Sequence, residues 1–250
     1  EFTADKFNDE DYYVLTLAAI ARELRREQIT KADVFIAAGL PLTWASGQRA
    51  DFKKYLLQHK EVSFTFRNKD YHIKIVGAEI YPQGFAAVTE KLGEFKGVNL
   101  LCDIGNGTMN LLGIVNKKPN AQHMFTEKYG THQCTLHIRE QMMKGHHAVL
   151  DDAIITEILK KGTADIDAQY LETVIKTAKE YTAGIFRRLR EHEYDPKLMK
   201  LYVVGGGSCL IRNFGEYDRK RTVINEDICA TAKGYEYMAL VTLNRNGGVV

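Results

Sequence analysis

The sequence predicts an α/β fold, because short apolar runs of β-forming residues alternate with longer stretches of helical periodicity. Two of the predicted strands carry the features on which the functional interpretation depends. Residues 98–102 form an apolar run that ends on Asp103 and a glycine-rich turn, and residues 201–204 form another that ends on Gly205. The length of 250 residues suffices for one large domain or for two ordinary ones.

The turn after Asp103 has the composition of a phosphate-binding loop. Gly105, Asn106 and Gly107 follow the acid, and Thr108 opens a second apolar run. Glycines let the backbone reach positive φ and let its N–H groups approach a ligand closely. An acid at a strand end repels phosphate, but it can hold a hydrated Mg²⁺ that bridges to the phosphate oxygens. The alternative is a plain hairpin with Asn106-Gly107 as a type I′ turn.

A second glycine-rich turn follows the later strand and consists of Gly205, Gly206, Gly207 and Ser208. Two strand-to-glycine turns of different design suggest one nucleotide held from two sides. A dinucleotide-binding fold is not indicated, because Leu210 stands where the third glycine of that fingerprint would be. The sequence also has no Gly-Lys-Ser/Thr phosphate loop.

Residues 103–108 resemble the second phosphate loop of the actin and sugar-kinase ATPase superfamily, and residues 203–208 resemble its adenosine loop. Within the superfamily, the chain is most similar to bacterial actin-like proteins of the ParM/StbA type, which segregate plasmids. The resemblance implies an actin-like (ribonuclease H-like) fold with ATP and Mg²⁺ in a cleft between two domains. The implied divisions are domain I at 1–97, domain II at 98–226 with a small outer subdomain around 145–166, and a C-terminal helix at 227–250 that returns to domain I.

Residues 78–92 predict a strand followed by a helix, with Pro82 in the first helical turn. Gln83 would then lie at the start of that helix. In the family, the matching position carries a Gln or Glu that orients the attacking water, and the resemblance gives Gln83 this role. It also implies that Asp103 holds Mg²⁺ through water. The alternative for Gln83 is an exposed residue at the start of a helix.

The resemblance assigns the remaining contacts with ATP to the two turns. The backbone of Gly105 to Thr108 and the Thr108 hydroxyl would hold the β- and γ-phosphates, and Gly205 to Ser208 would flank adenosine and the α-phosphate. Two residues depart from the family pattern. Asn106 replaces a common glycine, and Asn110 stands where relatives often have an acid. These departures bear on activity more than on the fold.

The longest predicted helix covers residues 167–192. In relatives, the helix at this place passes the nucleotide, and polar residues on one face contact the base or the ribose. Lys176, Lys179 and Glu180 are therefore candidates for such contacts. Which of them faces the nucleotide stays open.

The two ends of the chain also relate to the family. The superfamily begins with a hairpin that carries a first phosphate loop, an acid followed by a glycine-rich turn. Asp103 gives the only such pattern in the sequence, whose first residue is Glu1, so we expect that hairpin to be missing from the chain as given. Near the other end, Ala230 to Gly234 resembles the Ala-x-x-x-Gly signature of the helix that connects the two halves.

The composition bears on location and partners. A net charge of +2 gives no reason to expect direct sequence-specific binding to DNA. No apolar run approaches the roughly 20 residues that span a bilayer, and no signal peptide is visible, so we expect a cytoplasmic protein without membrane contact. Cysteines 102, 134, 209 and 229 are widely spaced, which predicts reduced thiols and no zinc site.

Taken with the resemblance, these features imply that the full-length form is an ATPase that polymerises into filaments and moves plasmid DNA through a DNA-binding adaptor protein. No nucleophile triad or cysteine–histidine pair is evident, so covalent catalysis is not expected. One alternative is a small-molecule, sugar-type kinase of the same superfamily, in which Asp103 would act as a base. Another is a structural assembly protein that does not hydrolyse ATP.

Overall fold

The computed structural model describes residues 10–245, which divide into two compact units. Unit 1 contains residues 10–40, 44–82 and 239–245, and unit 2 contains residues 41–43 and 83–238. Both units combine a β-sheet with helices, so the predicted α/β class is confirmed.

Unit 1 is built on a three-stranded sheet. Its elements are α1 (Glu10–Arg26), β1 (Lys31–Leu40), α2 (Leu42–Leu56), β2 (Glu61–Phe66) and β3 (Lys69–Pro82). The strand order is β1–β3–β2, with β3 parallel to β1 and antiparallel to β2. Ile73 and Ile75, which alternate along β3, pack with Leu24 of α1 and Phe52 of α2 in one buried cluster. Since alternate residues of a strand point to one face, both helices cover the same face of this sheet.

Unit 2 is built on a five-stranded sheet with the strand order β6–β5–β4–β7–β8. The strands are β4 (Val98–Ile104), β5 (Met109–Val115), β6 (Lys118–Glu127), β7 (Lys200–Val204) and β8 (Thr222–Ile224). The helices that follow β3 along the described chain are a 3₁₀ helix (Phe85–Glu94), α3 (Thr131–His146), α4 (Asp152–Lys161), α5 (Ala168–Glu191), α6 (Ser208–Phe214) and α7 (Ala230–Arg245). The central strand, β4, is antiparallel to β5 and parallel to β7.

The central strand β4 is buried on both faces, as its continuous apolar run predicts. Leu100 and Cys102 belong to a cluster formed with α3, α4, α5 and α6. Leu101, on the opposite face, packs in a second cluster with Val88 and Phe95. The charged side chain of β4 is that of Asp103, which lies near the carboxyl end of the strand, beyond these packed residues.

The prediction of a helix that begins at Pro82 is wrong in two respects, because the helix begins later and is a 3₁₀ helix. Pro82 ends β3, where it pairs with Leu40 of β1. A turn at Gln83 and Gly84 separates the strand from the 3₁₀ helix. Proline suits the last position of a strand because no further ladder bond needs its missing N–H group, and Gly84, at φ 77°, allows the turn.

Gly234 allows α7 to lie close to the 3₁₀ helix. A Cβ atom at this position would lie 1.9 Å from the backbone oxygen of Ala86. No side chain fits at that distance, so close packing against Ala86 requires glycine at the end of the segment Ala230 to Gly234.

The four cysteines are free thiols, and Cys102 and Cys134 are buried. Burial raises the pKa of the Cys134 thiol to about 12, which leaves it unreactive at neutral pH. Among the helices that the structure describes, none is long and apolar enough to cross a membrane.

Candidate functional site

The two glycine-rich turns meet at one edge of the unit 2 sheet. β4 and β7 are neighbouring parallel strands, so they end at the same edge. In their register, Asp103 lies beside Val204, the residue before Gly205. The structure thus brings together the two turns that the sequence predicted as parts of one site.

Asp103 lies between two glycines whose main chains approach it closely. A Cβ atom on Gly84 would be 3.2 Å from the Asp103 Cβ, and a Cβ atom on Gly205 would be 2.4 Å from its Oδ1. The two glycines have φ of 77° and 87°, a region that other residues rarely adopt. Both positions therefore need glycine for conformation as well as for space.

The Asp103 carboxyl group has no charge partner to offset its burial. Burial raises its pKa from 3.8 to about 6, and no basic side chain in the described part of the chain lowers it again. A largely buried carboxylate that lacks a cationic partner costs free energy. Such groups cluster at functional sites, where a ligand supplies the missing charge.

The first glycine-rich turn, residues 105–108, is held on one side by the start of α3. The N–H groups of Thr131 and His132 donate to the backbone oxygens of Gly105, at 3.1 Å, and Asn106, at 2.9 Å. The N–H groups of residues 106–108 have no hydrogen-bond acceptor within the described chain. Successive free N–H groups in a turn form a concavity that suits an oxyanion.

Gly130 brings the start of α3 against this turn. A Cβ atom on Gly130 would be 2.3 Å from the Asn106 backbone oxygen, so two main chains touch here. The side-chain Oδ1 of Asn106 accepts a hydrogen bond from the Thr131 hydroxyl at 3.2 Å. Asn106, the departure from the family's common glycine, thus makes a contact that glycine could not make.

The second glycine-rich turn is fastened to the end of β4. The Gly207 N–H donates to the Ile104 oxygen at 2.8 Å, and a Cβ atom on Gly207 would be 2.3 Å from the Ile104 Cγ2. Ser208 is buried at the start of α6. A Cβ atom on Gly206, in contrast, would meet no described atom within 4 Å, so there is space beside the middle of the turn.

Gln83 lies in the turn that connects β3 with the 3₁₀ helix, and it is half-buried. It directly precedes Gly84, where an added Cβ atom would lie 3.2 Å from the Asp103 Cβ. The structure therefore brings Gln83 to the same edge of the unit 2 sheet as Asp103. It does so from a turn and not from the start of a helix.

Two of the three candidate residues on α5 line a groove. Lys179 and Glu180 face a groove of about 550 Å³, whose opposite side is formed by Asn213 and the segment that follows α6. Lys176 does not line it. Lys179 and Glu180 thus stay candidates for contacts with a base or ribose.

Sequence reasoning missed two residues that hold the first turn, Gly130 and Tyr181. The Tyr181 hydroxyl, on α5, donates to the Gly130 backbone oxygen at 2.7 Å. The two residues are 51 positions apart, so no local pattern could have linked them. The one available sign was a glycine between a strand and a helix, where close approach of main chains is common.

Residues 1–85 match the family model for the N-terminal domain of actin-like proteins. A comparison with curated proteins finds no match. The sequence match therefore covers only the first part of the chain, and the remainder rests on the comparison of structures.

Several solved structures resemble the chain in fold. Ta0583, an archaeal actin homolog solved in complex with ADP, is 20% identical, with a TM-score of 0.70 over 90% of this chain and 77% of that one. ParM of Bacillus thuringiensis, solved with ATP, is 14% identical, with a TM-score of 0.70 over 97% and 77% of the two chains. A filament structure of Alp12 is 14% identical, with a TM-score of 0.66 over 92% and 74%. The resemblance to actin-like proteins is thus confirmed, and the fold is the actin-like fold.

Proposed function

We propose that this chain is an actin-like ATPase of the ParM type, which forms ATP-dependent filaments and segregates plasmid DNA. The observation that carries the proposal is the uncompensated Asp103 carboxyl group between Gly84 and Gly205, beside a turn with free N–H groups. The fold supports it, because proteins of similar structure were solved with ADP, with ATP or as a filament.

The two turns would hold the phosphates and the nucleoside. The free N–H groups of residues 106–108 and the Thr108 hydroxyl would bind the β- and γ-phosphates, whereas residues 205–208 would flank adenosine and the α-phosphate. Hydrogen bonds to a charged group contribute about 1.5–3 kcal/mol each, so a few backbone donors give substantial affinity. Asn106 keeps its backbone donor although it replaces a glycine.

Asp103 would hold Mg²⁺ through water. The described residues contain no group of three or more His, Cys, Asp or Glu side chains that could hold a metal ion alone. Mg²⁺ does not require such a group, because it keeps several waters and takes its other ligands from one or two carboxylates and the substrate phosphates. The single carboxylate of Asp103 fits this mode of binding, and the bound ion would neutralise phosphate charge.

Gln83 would orient the attacking water. Its amide oxygen can accept a hydrogen bond from water while its NH₂ group donates to a phosphate oxygen. A glutamine does not titrate, so it would act by placing the water and not by removing its proton. The position of Gln83 next to Gly84, which lies close to the side chain of Asp103, supports this role.

The working form would be a filament of identical copies, since a head-to-tail contact that does not close generates an open filament. We infer that plasmid DNA is engaged through a DNA-binding adaptor protein in the cytoplasm. The near-balanced charge of the chain, +2, supports an adaptor over direct contact with DNA phosphates.

Phosphate release and high-speed sedimentation, measured on one preparation with Mg²⁺ and ATP, test the proposal. The parent in its full-length form should hydrolyse ATP and enter the pellet, and Asp103→Asn in the same form should lose hydrolysis. Gly145→Ala is the matched control, because a Cβ atom there meets nothing within 4 Å and the residue is exposed on α3. A parent that neither hydrolyses ATP nor sediments would refute the proposal.

The same two measurements separate the alternatives. A sugar-type kinase would transfer phosphate to an added sugar and stay in the supernatant. A structural assembly protein would enter the pellet without releasing phosphate.

A further inference from the structure

We propose that Tyr181 is a positioning residue that holds the first glycine-rich turn in the shape that receives phosphate. This inference rests on the proposed function, since it assigns to the turn the binding of a nucleoside triphosphate. Tyr181 would act through Gly130 and the first N–H groups of α3, and it would not touch the nucleotide.

Gly130 is fixed by hydrogen bonds at both of its main-chain polar groups. Its N–H donates to the Gln133 Oε1 at 2.8 Å, and its oxygen accepts from the Tyr181 hydroxyl at 2.7 Å. These two bonds set the direction of the chain as it enters α3. The N–H groups of the next two residues are thereby aimed at the first turn.

The bonds from α3 determine which way the peptide groups of the turn face. Thr131 and His132 donate to the oxygens of Gly105 and Asn106. In a trans peptide, the oxygen and the N–H group point in opposite directions. The N–H groups of Asn106 and Gly107 therefore point away from α3, and this orientation leaves them free for an oxyanion.

Tyr181 is itself held firmly. Its ring stacks on the Tyr129 ring with centroids 4.2 Å apart and planes 4° apart, and the Arg188 guanidinium lies 3.7 Å from the Tyr129 ring centroid. The side chain is 2% exposed. Burial raises its pKa, so the hydroxyl stays protonated and remains a donor at neutral pH.

The position of Tyr181 on α5 links the turn to a second surface. Glu180, the preceding residue, lines the groove beside α6. The helix that supplies the hydroxyl bonded to Gly130 therefore also borders the groove.

The test compares Tyr181→Phe with the parent and with Tyr170→Phe. Tyr170 lies three turns earlier on α5, with its ring near His146, so its variant removes a tyrosine hydroxyl away from the turn. In the nucleotide-free protein, Tyr181→Phe should raise hydrogen exchange of the Thr131 and His132 amides about tenfold. The Kd for Mg²⁺-ATP should rise about tenfold, and Tyr170→Phe should change neither quantity.

The two readouts separate failure of this inference from failure of the proposed function. Unchanged exchange at Thr131 and His132 in Tyr181→Phe would overturn the inference, as would an equal increase in Tyr170→Phe. Faster exchange with an unchanged Kd for Mg²⁺-ATP would also overturn it. If exchange is faster in Tyr181→Phe but the parent does not bind ATP, the result would support the inference that Tyr181 positions the first turn. It would refute the proposed function.

Discussion

Asp103 destabilises the folded protein whenever its carboxyl group is ionised. Burial raises its pKa to about 6, whereas the unfolded chain has the ordinary value of 3.8. A shift of this size corresponds to roughly 3 kcal/mol at neutral pH. The sign follows from proton uptake: the folded state holds the proton more tightly, so stability is greatest below the unfolded pKa and declines as pH rises through about 6.

We expect Asp103→Asn to raise the free energy of unfolding by up to about 3 kcal/mol at pH 8 and by little at pH 3, because the amide removes the buried charge. Urea unfolding of parent and variant from pH 3 to pH 8 measures the difference. The parent should lose stability between pH 4 and pH 6, and the variant should not. Parallel pH profiles would show that the carboxylate is not penalised by burial.

Gln83→Ala should lower kcat for ATP hydrolysis by roughly a hundredfold and change the Kd for Mg²⁺-ATP by less than about twofold. A group that orients water acts mainly in the transition state, so its loss appears in kcat. Steady-state kinetics and calorimetry give the two numbers. Gln169→Ala, at an exposed position near the start of α5, is the control. An unchanged kcat would leave Gln83 as an ordinary turn residue.

At the residue scale, the sequence predicts those features of the site that depend on residues adjacent along the chain. Asp103 lies at the end of a buried strand and just before a turn, so its place beside the glycine-rich turn could be predicted locally. Gly84, Gly130 and Tyr181 could not, because each matters through an atom distant in sequence. Such contacts depend on tertiary packing, which a local pattern does not encode.

At the scale of elements, continuous apolar runs of about five residues were predictable, and shorter or interrupted ones were not. β4 and β7 are buried throughout their central positions and were predicted from continuous apolar sequence. β8 has three residues, too few to show a period, and was not predicted. The helix after Pro82 begins only at Phe85, because β3 extends through Pro82 to pair with the full length of β1.

Gly234→Ala should destabilise the protein by roughly 1–3 kcal/mol, because the new methyl group would overlap the Ala86 oxygen and force the 3₁₀ helix away from α7. Thermal unfolding measures the effect. Gly145→Ala, also within a helix but with open space around it, should instead stabilise by about 0.5–1 kcal/mol. Similar effects for the two substitutions would contradict the close contact at Gly234.

At the scale of the whole molecule, the proposed role of Asp103 predicts that binding of Mg²⁺-ATP stabilises the fold. Mg²⁺-ATP at a hundredfold excess over its Kd should stabilise the protein by about 2.7 kcal/mol. For a chain of this length, that corresponds to a rise in Tm of roughly 5–10 °C. Differential scanning calorimetry with ATP, with and without EDTA, measures the dependence on the metal.

Chelation should remove most of this rise in the parent and have little effect on Asp103→Asn, whose Tm with ATP should not depend on Mg²⁺. An equal Tm for the parent with and without the metal would contradict the assignment of Asp103.

The pairing of β4 with β7 sets an order of events during protein synthesis. Asn99 pairs with Lys200, so β4 must wait until the ribosome has added about a hundred further residues before its parallel neighbour exists. The β4–β5 hairpin and β6 involve near neighbours and can form on the growing chain. The nascent protein therefore carries Asp103 and its turn long before Gly205 arrives. Until residues 205–208 have left the exit tunnel, a ribosome-bound chain has only half of the proposed nucleotide site, so we expect that ATP does not assist its folding.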